Sequence, residues 1–140
     1  MTSDASDRSL AQAMGYLEEL LAQTEYPYTR LSEGNGFSLG LSPKNWDVDP
    51  VLIAGRTNFW LLISIPGSDR ADRLKALETV NALNSSAPYG VFYVNDGTVT
   101  FRNTIRAKTL VDFQELVLWI VVSLSIIDDS TPALRKLTAP

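Results

Sequence analysis

The 140-residue chain contains no cysteine and no histidine. The first absence excludes disulfide scaffolds, thiol nucleophiles, iron–sulfur clusters and cysteine-based zinc sites. The second removes the commonest general base, the commonest transition-metal ligand and the usual titrating switch near neutral pH. Catalysis would have to run on carboxylates, Lys, Tyr, Ser or backbone dipoles. Basic residues are also few: 12 Lys plus Arg stand against 16 Asp plus Glu, a formal net charge of −4. That sign opposes nonspecific binding to nucleic acid or to an anionic membrane, both of which rely on basic surface. Long hydrophobic runs are scarce too. The longest, Leu116 to Ile127, reaches only about 18 Å as a helix, against about 30 Å of bilayer hydrocarbon. Extending it backward takes in Glu115 and Asp112, so it reads as a buried helix. The opening Met1-Thr2-Ser3-Asp4-Ala5-Ser6-Asp7 has neither the charged start nor the apolar stretch of a signal peptide, which makes the cytoplasm the expected location.

What is present suits one globular core. Hydrophobic residues make up 45% and charged residues 20%, well away from the balance that keeps a chain unfolded. Residues 1–8 are expected to be a disordered polar lead and 9–140 a single α+β domain. Leu10, Ala13, Met14, Leu17, Leu20 and Leu21 recur at spacings of three and four, the stripe of an amphipathic helix that Ser9 can cap and Pro27 ends. The period then changes to two. Phe37, Leu39 and Leu41 alternate with small polar residues, and Val51 to Ala54 and Phe59 to Ile65 are rich in β-branched and aromatic side chains. Ser68 or Asp69 is the expected cap of a second helix whose apolar stripe is Leu74, Leu77, Val80 and Leu83. Val91 to Val94 and Thr98 to Arg102 flank Asn95-Asp96-Gly97, a hairpin turn. A third helix is expected from Leu110 to Ile127, and a short fourth with Thr131 as cap and Pro132 at its first position.

Few places in this pattern can hold chemistry. No Ser-x-x-Lys occurs, so a serine nucleophile has no local base. Asp47 with Asp49, and Asp128 with Asp129, lack the oxygen count and spacing of a calcium loop and read as solvated or capping groups. Gly34-Asn35-Gly36 precedes strand rather than helix and reads as a turn, since a phosphate cradle needs a helix start behind it. Arg102, Arg106 and Lys108 lie near aromatics without the order of an RNA-reading strand. Trp46, in the irregular stretch from Pro43 to Pro50, either folds back as a lid or offers an aromatic anchor to a partner. The third helix is apolar almost all round and needs cover on more than one side. Either it is sandwiched between the sheet and the first helix or part of it faces a second protein.

The order α-β-β-β-α-β-β-α, the segment Leu74 to Asn84 ending in Asn81-Ala82-Leu83-Asn84, and the hairpin from Tyr89 to Arg102 together resemble the YbjN-like family, most of all its small cyanobacterial members. The fold of that family is that of the class I type III secretion chaperones. The resemblance covers about Leu10 to Ile127. It implies an α+β domain with a twisted antiparallel sheet, a habit of forming homodimers, and no catalytic residue to carry over. The expected function is accordingly a non-enzymatic, protein-binding module with a chaperone-like or regulatory role, with no cofactor, metal, nucleic acid or membrane partner. Its candidate interface is Trp119, Val122 and Ile126, or alternatively Arg73, Leu77 and Asn81, with Trp46 as a further contact. The rival is a small-ligand binder or an enzyme built on carboxylates and Arg, which requires a concave pocket with convergent polar groups.

Overall fold

The computed structural model describes residues 9–139, so the expected disordered lead at 1–8 lies outside the described residues. Ser9 caps the first helix, α1 (Leu10–Gln23). Its Oγ accepts from the Gln12 amide at 3.1 Å while Gln12 Oε1 accepts from the Ser9 amide at 3.0 Å, so two donors orphaned by a helix start are satisfied together. There follow β1 (Tyr28–Arg30), β2 (Gly36–Leu39), β3 (Val51–Ala54), β4 (Asn58–Ser64), α2 (Arg73–Ser86), β5 (Val91–Asn95), β6 (Thr98–Arg106), α3 (Phe113–Asp129) and α4 (Thr131–Thr138). All six strands form one antiparallel sheet in the order β1-β2-β3-β4-β6-β5. Relative to the eight-element order read from sequence, β1 is an addition, and the short fourth helix expected around Pro132 is present as α4. At three residues, β1 is too short to show a period.

The register sorts side chains into rows. Phe37, Leu52, Leu61 and Asn103 lie opposite one another across β2, β3, β4 and β6, and Ile63, Phe101 and Phe92 form a parallel row. Both rows face the helices and are buried. The alternate row, Ser38, Val51, Leu62, Arg102 and Val91, lies on the sheet's other, more exposed face. Two apolar clusters fill the helical side. One gathers α1 around Phe37, Leu52, Phe59 and Leu61; the other gathers α2 and α4 around Ile63, Phe92 and Phe101. Helix α3 belongs to both, giving Leu116, Trp119 and Ile120 to the first and Ile126 and Ile127 to the second. No single helix among the described residues is long and apolar enough to cross a membrane, and α3 and α4 reach that length only as a pair bent by 60°.

Several local expectations are corrected. Asp72, not Ser68 or Asp69, caps α2, accepting from the Lys75 amide at 2.8 Å. Ser68 is buried instead, donating to Ile65 O at 2.8 Å and accepting from Val99 N at 2.9 Å, which ties the strand end to β6. The buried stripe of α2 is Ala76, Val80 and Leu83, while Leu74 and Leu77 point outward. Both stripes have helical spacing; the small side chain of Ala76 allows the closer approach to the sheet. Helix α3 starts at Phe113 rather than Leu110 because Ala107–Thr109 forms a 3₁₀ turn and Asp112 accepts from the Glu115 amide at 2.9 Å. Ser130, not Thr131, precedes α4, and its hydroxyl turns back to Ile126 O at 2.7 Å.

The hairpin at Asn95-Asp96-Gly97 has the expected positive φ, 52° at Asp96 and 81° at Gly97. At its other end Gly90 sits at φ 73°, where an added Cβ would lie 2.5 Å from the Phe101 ring. Strand β5 is a sheet edge, a liability because its free amides and carbonyls can template another strand. Asn84, near the end of α2, closes part of that edge. Its Nδ2 donates to Phe92 O at 2.8 Å and its Oδ1 accepts from Phe92 N at 2.7 Å, the pair of bonds a neighbouring strand would make. Capping is therefore not what Asn84 does. Asn84→Ala is expected to cost about 1–3 kcal/mol in urea unfolding, since it orphans both main-chain groups of Phe92. A loss below a few tenths would show that the edge is satisfied some other way.

Candidate functional site

A groove of about 600 Å³ runs between α3 and the sheet. Its α3 wall is Leu118, Trp119 and Val122; Asn103, Thr104 and Ile105 of β6, Thr109 and Tyr89 also line it, and Glu115 is its one carboxylate among the described residues. The groove exists because α1 covers the first apolar cluster and α2 the second, leaving the middle of α3 open. Leu118 is 64% exposed and Tyr89 61%, and Val121, one turn after Leu118 on α3, is exposed as well. Exposed apolar surface of this kind marks a contact site. Helix α3 is thus sandwiched on its inward side against the sheet and α1, while Leu118 and Val121 face outward.

Buried polar groups sit in this apolar setting. Asn103 is only 7% exposed and occupies an inward position where Phe37, Leu52 and Leu61 are its row neighbours. Ser123 Oγ donates its single proton to Trp119 O at 2.8 Å, so it accepts from Asn103 Nδ2 at 2.8 Å. That fixes the amide orientation, and Asn103 Oδ1 is left without a partner among the described residues. Trp119 Nε1 is buried and likewise meets no acceptor there. The alternation Val99, Phe101, Asn103, Ile105 already places Asn103 inward, a polar residue at a core position, which is the signal sequence reading passed over. Glu115 is partly engaged, its Oε2 accepting from the Val111 amide at 3.3 Å.

The other residues singled out in the sequence scatter. Trp119 and Val122 line the groove, but Ile126 is buried in the second cluster. Arg73, Leu77 and Asn81 are exposed on the outer face of α2, beside Leu74. Trp46 is covered by its own chain, so of its two readings the structure has the lid over the second cluster and not the partner anchor. Its Nε1 donates to Thr131 Oγ1 at 3.0 Å, Arg135 stacks 4.0 Å from its ring, and Asp128 accepts from the Lys44 and Asn45 amides at 2.9 Å each. Asp128 thus fastens the Pro43–Pro50 loop to the α3–α4 junction. Arg102 lies over Tyr93, and Arg106 shares a separate depression of about 260 Å³ with Lys108, Thr57 and Asn58. Neither arginine lines the groove.

No family model and no curated protein matches the chain. Among solved structures it is similar to the crystal structure of YbjN, a proposed transcription regulator from E. coli, with a TM-score of 0.64 and 13% identity over 87% of this chain and 89% of that one. The chain therefore has a YbjN-like α+β fold, as the resemblance implied; a cyanobacterial origin gains no support.

If Asn103 and Ser123 served packing alone, an apolar pair would serve better. Ser123→Ala alone is expected to cost about 1–3 kcal/mol by stranding the Asn103 amide, whereas Asn103→Leu with Ser123→Ala leaves stability unchanged or raised, both read by urea unfolding.

Proposed function

We propose that the chain is a non-enzymatic protein-binding module that works in the cytoplasm as a homodimer, in a chaperone-like or regulatory role. The observation that carries this reading is the pair of apolar ridges on the helical layer, Leu118 with Val121 on α3 and Leu74 with Leu77 on α2, all exposed. Burying a large apolar side chain gives about 1.5–3 kcal/mol, so ridges of this composition favour a protein partner. The fold shared with a proposed regulator, and a chain with neither thiol nor imidazole, support the same reading. The second reading, a small-ligand site, is favoured by the groove's volume, which lies in the range of ligand pockets. Against it, exposed apolar residues also lie outside the groove, at Val121 on α3 and at Leu74 and Leu77 on α2, where a ligand in the groove would not cover them.

Light scattering on the purified chain at micromolar concentration is expected to give twice the monomer mass, and a strictly monomeric mass removes the homodimer. Affinity recovery from native cells is expected to return a stoichiometric protein partner. Substrate turnover abolished by Glu115→Gln would replace the module with an enzyme, since Glu115 is the one carboxylate in the groove among the described residues.

A further inference from the structure

We infer that the two exposed ridges are the two halves of one seam: α2 of a second copy of this chain lies in the groove beside α3, and a two-fold axis makes the exchange reciprocal. The inference rests on the homodimer reading above and specifies its geometry. Charge chooses the pairing. Glu115 is the charged residue of the groove and Asp112 stands one turn before it, whereas the outer face of α2 carries Leu74 and Leu77 with Arg73 and Lys75 in its first turn, two cations against the single carboxylate of Glu78 further along. Helix α3 has no Lys or Arg, so a seam of α3 against α3 offers Glu115 no cation from that helix. A seam of α2 against α2 buries one ridge and leaves Leu118, Val121 and the groove uncovered.

Spacing agrees with the charges. Arg73, Leu77 and Asn81 follow one face of α2 at intervals of four over about 12 Å, and Glu115, Leu118 and Val122 follow one face of α3 over about 10.5 Å. Laid side by side, Arg73 meets Glu115 and Leu77 meets Leu118. Asn81 then comes to the end of the groove floored by Asn103. There the free Oδ1 of Asn103 supplies an acceptor, and the exposed Asn81 amide, which makes no side-chain bond among the described residues, supplies a donor. The two features are also neighbours in one molecule, because Tyr89 on the groove rim follows the end of α2 by three residues. A two-fold axis can therefore use both at once and close the assembly, where a single heterologous contact would propagate.

The absence of native cysteine gives a clean test. Leu77→Cys and Leu118→Cys are made as separate single variants, and each is oxidised alone and after mixing and subunit exchange. The expected result is a disulfide-linked dimer in the mixture only, since the bond requires Cα atoms within about 7 Å. Linking of Leu77→Cys to itself, linking of Leu118→Cys to itself, or no linking in a chain that light scattering shows to be dimeric each overturns the seam while leaving the homodimer standing. A monomeric wild-type chain overturns both. Charge reversal supplies an independent readout: Glu115→Arg and Arg73→Glu should each weaken dimerisation by about tenfold, and the two together should restore most of it. Loss without restoration overturns the pairing. Should Glu115→Arg lower the melting temperature, Leu118→Asp, at an exposed position, is expected to split the dimer with the fold intact; a dimer that survives it also overturns the seam.

Discussion

The fold depends on α3 being apolar over most of its circumference. An ordinary surface helix buries one stripe and holds one core together. Here Leu116, Trp119 and Ile120 close a cluster built on α1 and strands β2 to β4, while Ile126 and Ile127 close another built on α2, α4 and strands β4 to β6. Six strands are too wide for a single helix to cover, and α3 is the element that makes two half-cores one. The same geometry leaves a gap. Between α1 and α2 the outward side of α3 has no neighbour, and Leu118 and Val121 lie open beside a groove.

The polar groups around α3 show how the remaining surface is controlled. Asp128 near its end accepts two loop amides, and the loop's Trp46 is held by Thr131 and Arg135, so the long β2–β3 connection covers the α4 side of the second cluster. Asn84 blocks part of the open edge of β5 with side-chain bonds in place of a strand. Both devices use side chains to satisfy main-chain groups that would otherwise invite a partner. With the loop fastened and part of that edge closed, the exposed apolar helix faces remain without such protection.

Period and turn chemistry made most of the architecture legible. The capping box at Ser9, the Asp96-Gly97 hairpin and the strand alternations are local signals, and they survive in the folded chain because burial agrees with them. The second-helix stripe was misread because two overlapping sets of positions share helical spacing, and only the approach to β5, set by Ala76 and by Asn84, decides between them. Asn84 itself has a local capping explanation that gives no hint of its tie to Phe92, a contact between elements. The groove was half legible. Trp119 and Val122 could be named from the helix's excess of apolar residues, but Asn103 and Tyr89 come from other elements, and Ile126 was assigned outward when the C-terminal half of α3 turns it into the second core.

Asn103 argues that the groove is more than a packing flaw. A row containing Phe37, Leu52 and Leu61 would gain from another apolar side chain, because a half-satisfied polar group in such a place costs about 1–3 kcal/mol. The Ser123 bond satisfies the donor end of the amide and holds the acceptor end fixed, an arrangement that orients Oδ1 instead of merely tolerating it. Fixed acceptors in apolar surroundings confer direction on contacts that apolar surface alone leaves undirected, since hydrophobic burial is proportional to area and blind to register. A surface built from Leu118, Tyr89 and Val121 alone would accept many partners in many registers. With Asn103 at the floor and Glu115 at the rim, it favours an occupant that brings a donor and a cation at a set spacing along an apolar ridge, which is the chemistry α2 presents on its outer face.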